Sequence, residues 1–150
     1  MKISILLPYK ENFSPEYPGA VSLFVYETTK ISKFKNKIIV FGNTNYKRLF
    51  NLKYVNINIK KEFFNSQTKN YVTNFIKLER KHDSSIIEVH NRPSYIHIIN
   101  SKIKNKILTL YFHNDPLSMD GSKTLKERLF LINKVDKLFF NSKWSQKRFF

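Results

Sequence analysis

Cysteine is absent from these 150 residues. That excludes disulfides and thiolate metal sites, and it fits a reducing compartment. Glycine occurs only three times, and no G-x-G-x-x-G follows the first apolar run. Binding of a dinucleotide or ATP through a glycine-rich loop is therefore disfavoured, and no P-loop is present. Neither the G-x-S-x-G elbow of the hydrolases nor the H-E-x-x-H spacing of zinc enzymes appears. Acidic residues are few, 11 against 27 Lys and Arg. Pro8, Tyr9 and Lys10 follow the first run, where a phosphoryl-accepting receiver domain would need an acidic cluster. No apolar run approaches the roughly 18–20 residues needed to cross a bilayer. The opening "MKISILLPYK" lacks the longer apolar region and small-residue cleavage site of a signal peptide, and it reads as a buried strand.

What is present points to one folded domain. A chain of this length buries a real core. Hydrophobic residues make up 41% and aromatics 15%, which argues against disorder. The net charge of +16 favours polyanions: nucleic acid, anionic lipid or phosphorylated substrates. The same charge also follows from compositional bias, because Lys, Asn, Ile and Phe are all abundant and the lysines are spread along the chain.

Periodicity gives the elements. "KISILL", 2–7, is a strand apolar on both faces and closed by Pro8. A Pro-containing loop over 8–19 leads to a helix over about 19–34, with Val21, Phe24, Val25, Thr28 and Ile31 at helical spacing. "KIIVFG", 37–42, is the second strand, and "YVNINI", 54–59, is a third that alternates more and suits a sheet edge. Residues 66–81 predict a helix with Tyr71, Val72, Phe75, Ile76 and Glu79 down one side. "SIIEVH", 85–90, is a strand, and Pro93 opens a short helix. "KILTLYFH", 106–113, is the next strand. "TLKE", 124–127, is a capping box for a helix with Leu125, Leu129 and Ile132 inward. "KLFFNS", 137–142, is the last strand, and Trp144 lies in a final helix that it is expected to pack onto the sheet. Alternating strands and helices imply α/β architecture: a Rossmann-like, three-layer α/β/α domain with a mostly parallel sheet of about six strands. The last helix reaches Phe150 with no glycine cap or polar tail, which reads as a chain cut short and would leave Phe149 and Phe150 stranded.

"EVHNRP", 88–93, and "YFHNDP", 111–116, repeat His-Asn-x-Pro after two successive strands. In an open parallel sheet, ligands bind beyond the carboxyl ends of the strands. His90, Asn91, His113 and Asn114 should thus share one rim, with Asn141 at the end of the last strand. Backbone N–H groups there would be free for an anion. Asn and Pro after a strand are also ordinary turn chemistry. Asp115 is a candidate to orient the His113 imidazole. His82 and His97 read as surface or packing residues.

"EVHNRPSYI", "LTLYFHNDPLSM" and "TLKERLFLINKVDKLFFNSKWSQKRFF", in that order, resemble the N-terminal domain of GT-B glycosyltransferases of family four. The first loop, "PYKENFSPEYPGAVSLFVYETTK", adds to the likeness, which covers essentially the whole chain. The resemblance implies one half of a two-domain retaining enzyme, with acceptor binding in this half and a nucleotide-sugar donor held by a second domain without metal. It implies that His113 faces the sugar across the interdomain cleft as a catalytic residue, that His90 is the neighbouring cleft histidine, and that Gly19 lies near the donor phosphates. Asn91 and Arg92 would shape the acceptor side, with Asn114 and Asn141 on the same rim. It further implies a cytoplasmic protein of polysaccharide or cell-envelope synthesis, with a saccharide or lipid-linked acceptor and peripheral contact with an anionic membrane. The donor domain has no counterpart in these residues, so the chain alone is expected to be inactive. Two other readings stand beside this one. A basic nucleic-acid-binding module would need an aromatic-studded basic face, whereas most aromatics here fall at buried positions. A non-catalytic Rossmann-like interaction domain would leave the histidine rim without a cleft.

Overall fold

The computed structural model describes residues 1–59 and 66–150. Six strands form one sheet: β1 (Ile3–Leu6), β2 (Ile38–Gly42), β3 (Tyr54–Asn56), β4 (Ile86–His90), β5 (Ile107–Phe112) and β6 (Lys137–Phe140). Five helices connect or follow them: α1 (Ala20–Ile31), α2 (Gln67–His82), α3 (Ser94–Lys102), α4 (Leu125–Lys134) and α5 (Lys143–Phe149). The strand order is β3-β2-β1-β4-β5-β6, and every pairing is parallel. This is a Rossmann-like α/β/α domain, with β3 at an edge as its more polar pattern predicts. The chain moves outward from β1 to β3, returns to β4, then continues to β6, so the order reverses between β1 and β4.

Right-handed crossovers put connections that move in opposite directions on opposite faces. Two buried clusters follow. One joins α2, α3 and α4 to the sheet through Phe75, Tyr95, Leu131 and Phe112, among others. The other sets α1, through Val21 and Val25, and the loop residues Phe13 and Phe50 against β1 and β2. The α2 stripe behaves as its spacing predicts: Tyr71, Val72, Phe75, Ile76 and Glu79 are all buried. The Glu79 carboxylate accepts from the Ser4 hydroxyl and from the Ser84 backbone N–H at 2.8 Å, so the end of α2 is tied to β1 and to the entry of β4.

Three expectations are corrected. In α4 the capping box forms, with the Glu127 N–H donating to Thr124 Oγ1 at 3.2 Å and the Thr124 N–H donating to Glu127 Oε2 at 2.8 Å. Yet Leu125, Leu129 and Ile132 face outward, and Leu131 is the residue buried on the sheet. The helix runs beside α3, with Phe130 against His97, and it reaches the core chiefly through Leu131, so the wider apolar stripe is left outside. In α1, Thr28 and Ile31 are exposed, and Ser22 and Thr29 are buried in their place. In α5, Trp144 is 59% exposed beneath the Arg148 guanidinium, while Phe149 packs on Phe112 and Phe140 at 5.3 and 5.4 Å. Phe149 is therefore not stranded, although Phe150 is exposed.

Candidate functional site

Side chains alternate across a strand, so Glu88 and His90 share one face of β4. The β4–β5 register sets His90 beside Tyr111, and the β5–β6 register continues the row to Phe139. The rings stack along it, His90 on Tyr111 at 5.4 Å and Tyr111 on Phe139 at 5.8 Å. His113 follows β5 and folds back over this row, 4.7 Å from Tyr111. Phe24 of α1 meets the His113 ring edge-on at 4.9 Å. His90 is 1% exposed. Its Nδ1 lies 2.9 Å from His113 Nε2, and its Nε2 lies 2.7 Å from Glu88 Oε1.

Two asparagines, Asn91 and Asn141, hold the strand ends that carry these rings. Asn91 sits in the left-handed region at φ 53°, which Asn tolerates better than most residues. Its N–H donates to the Tyr111 carbonyl at 2.7 Å. Its Oδ1 accepts from the backbone N–H of His113 and Asn114, at 3.2 and 3.3 Å. Asn141 Nδ2 donates to the His113 carbonyl at 2.6 Å. The Ser94 N–H at the start of α3 donates to the Asp120 carbonyl. These N–H groups are thus satisfied within the fold, contrary to the expectation that they stand free for an anion.

Burial first and the neighbouring His90 second hold His113 down at about 4, with Glu88 acting in the opposite direction. Its imidazole is neutral at pH 7. Burial also pushes the Tyr111 hydroxyl up, with Glu88 reinforcing it. Asp115 does not orient His113. It forms an ion pair with Arg148 at 2.9 Å and caps the Leu117 N–H, and Arg148 holds its carboxyl below the usual range. His97 is exposed against Phe130, and His82 packs edge-on to Phe41.

Gly19 is the N-cap of α1. The Glu11 carboxylate folds over it and accepts from the Val21 and Ser22 N–H groups at 3.0 and 3.1 Å. A side chain at Gly19 would collide with that carboxylate. The chain's own acid thus occupies the helix N-terminus, where negative charge is favoured. Asn91 and Arg92 lead to the opposite, α3 side of the rim. There a cleft of about 460 Å³ lies beyond β1 and β4, lined by Tyr9, Asn91, Arg92, Ser94, Tyr95 and Lys123. The candidate residues therefore fall in two groups. His90, His113 and Gly19 are on the α1 side, whereas Arg92 lines the cleft on the other. Among the described residues, no group of three or more His, Asp or Glu side chains is arranged to hold a metal. The ring nitrogens of the histidine pair are turned on one another rather than on a common point.

Sequence reasoning missed Glu88, Tyr111, Phe24 and Glu11. Glu88 had a signal, since it stands two positions before His90 on a strand. Phe24 and Glu11 had none, because their roles depend on how α1 and its loop dock. No protein-family model matches the chain, and no curated protein matches it in sequence.

Proposed function

We propose that this domain is the N-terminal, acceptor-binding half of a retaining glycosyltransferase that moves a sugar from a nucleotide-sugar donor to a saccharide or cell-envelope acceptor. The observation that carries the reading is the meeting of His90 and His113 at the ends of adjacent central strands, on the side of the sheet where Gly19 opens α1. The order reversal between β1 and β4 supports it, because open α/β sheets take ligands at that point. The cleft with Arg92 and Lys123 suits the polar or anionic end of an acceptor. Donor binding falls to a second domain that these 150 residues do not provide, and the diphosphate is held there without metal. The excess positive charge favours work at an anionic membrane face inside the cell. Among the described residues, no helix is long and apolar enough to cross a membrane.

The test is to incubate the chain with uridine- and guanosine-diphosphate sugars and a saccharide panel, following both transfer and ring resonances. The expected result is no transfer, with saccharides shifting the signals of Tyr9 and Tyr95. Robust transfer would overturn the assignment of the donor to a second domain. Shifts produced by oligonucleotides and not by saccharides would overturn the function itself.

A further inference from the structure

The hydrogens of the histidine pair are fixed by the chemistry of their neighbours. An ionised carboxylate only accepts, so the bond between His90 Nε2 and Glu88 Oε1 has its hydrogen on Nε2. A neutral imidazole carries one N–H, which leaves His90 Nδ1 as an acceptor. The hydrogen in the 2.9 Å contact to His113 must then sit on His113 Nε2. By the same rule His113 Nδ1 is bare. Among the described residues nothing hydrogen-bonds that atom. The His113 residue is only half-buried.

We infer that Glu88, His90 and His113 form a directional proton relay, in which His113 Nδ1 takes the proton and the resulting charge comes to rest on His90. A proton arriving at Nδ1 makes His113 momentarily doubly protonated. Its Nε2 proton then passes to His90 Nδ1. His113 is left neutral with its hydrogen on Nδ1, and His90 becomes an imidazolium held by the Glu88 carboxylate. One proton enters, one N–H bond forms on each ring and one breaks on His113. The buried site favours this outcome, since charge on His90 is paired with Glu88, whereas charge on His113 has no carboxylate in contact. The other elements packed here do not compete. β5 presents Tyr111, α1 presents Phe24 and β6 presents Phe139, none of them charged at neutral pH. Glu88 and His90 are positioning residues for His113. On the function proposed above, His113 Nδ1 is the atom turned toward the sugar, but the relay can be tested without substrate.

The measurement is a long-range ¹H–¹⁵N correlation spectrum of the full chain with ¹⁵N-labelled histidine, recorded from pH 7.5 to 4. At pH 7.5 both rings are expected as Nε2–H tautomers. On acidification His90 should become imidazolium first, while His113 switches to the neutral Nδ1–H form. Glu88→Gln should lower the midpoint of that first step by about 1 pH unit, because the stabilising charge is gone. Glu88→Asp, which retains the charge, should move it less. Two results would overturn the relay: His113 resting as Nδ1–H at pH 7.5, or His113 charging before His90. An unchanged midpoint in Glu88→Gln would overturn the role of Glu88. If the variants fail to fold, the wild-type tautomers and their order of titration decide alone.

Discussion

His113 should make the stability of this domain fall with acid in a way that can be isolated. In the native state its imidazole is held at about 4, against an ordinary 6.5. The sign follows from proton binding. As pH drops below about 6.5 the unfolded chain takes up a proton on this residue, while the native ring resists until about 4. Stability from this source is whole above 6.5 and is lost between 6.5 and 4. At about 1.36 kcal/mol per pH unit the loss could reach about 3.4 kcal/mol. The ring is only half-buried, so solvent screening brings the expected loss to roughly 1.5–2 kcal/mol. The comparison is wild type against His113→Gln, which keeps a donor for His90 but does not titrate. Urea unfolding at pH 7.5 and 4.5 gives the free energy of each. Carboxylates away from the histidine pair are the same in both proteins, so their contribution cancels in the difference. Wild type should lose about 1–2 kcal/mol more than the variant on going to pH 4.5. Equal losses, or a larger loss in the variant, would refute the view that the fold keeps His113 neutral.

Three further substitutions test the packing described above. Leu131→Ala should cost about 2–5 kcal/mol in urea unfolding, whereas Leu129→Ala in the same helix should stay within about 0.5 kcal/mol. Similar costs would mean that α4 docks on its other face. Glu79→Ala removes the acceptor for the buried Ser84 N–H and the Ser4 hydroxyl. A charged hydrogen bond is worth about 1.5–3 kcal/mol, so a loss of about 3 kcal/mol is expected in the same assay. A loss below about 1 kcal/mol would show that water replaces the carboxylate.

Much of the fold was legible because strands buried on both faces and helices with one apolar stripe leave different periods. The α2 stripe could be read residue by residue, since that helix lies across the centre of the sheet and buries its whole apolar side. The same method misplaced α4, whose stripe of Leu125, Leu129 and Ile132 is as regular as that of α2. Period shows that a helix has an apolar side. It does not show whether enough of a partner lies beneath to cover that side. Trp144 illustrates the same limit at the scale of one residue, because Phe149 rather than the larger ring takes the buried position. At the site, strand ends were legible and loop reach was not. The repeated His-Asn-x-Pro located two rings on one rim. Only the strand pairing places His90 next to Tyr111, and only the docking of α1 brings Phe24 over His113.

The acidic residues carry more information than the basic ones. Compositional bias accounts for lysines on solvated turns, but it makes every retained carboxylate harder to explain. Among the described residues, five of them accept backbone N–H groups. Glu11 caps α1, Glu79 receives Ser84, Asp115 receives Leu117, Glu127 closes the α4 capping box and Asp136 receives Leu108. Each of those five has a structural reason to be acidic. Asp83, Asp120 and Glu27 pair with Lys106, Lys123 and Lys30 on the surface, where such pairs add little to stability. Glu88 fits neither group. Its polar contact among the described residues is with His90, a side chain 1% exposed in the central layer of the molecule. Keeping a carboxylate and two imidazoles together on a sheet face costs desolvation that an apolar trio would avoid. Neither compositional bias nor helix capping calls for that arrangement, whereas control of the His113 tautomer does.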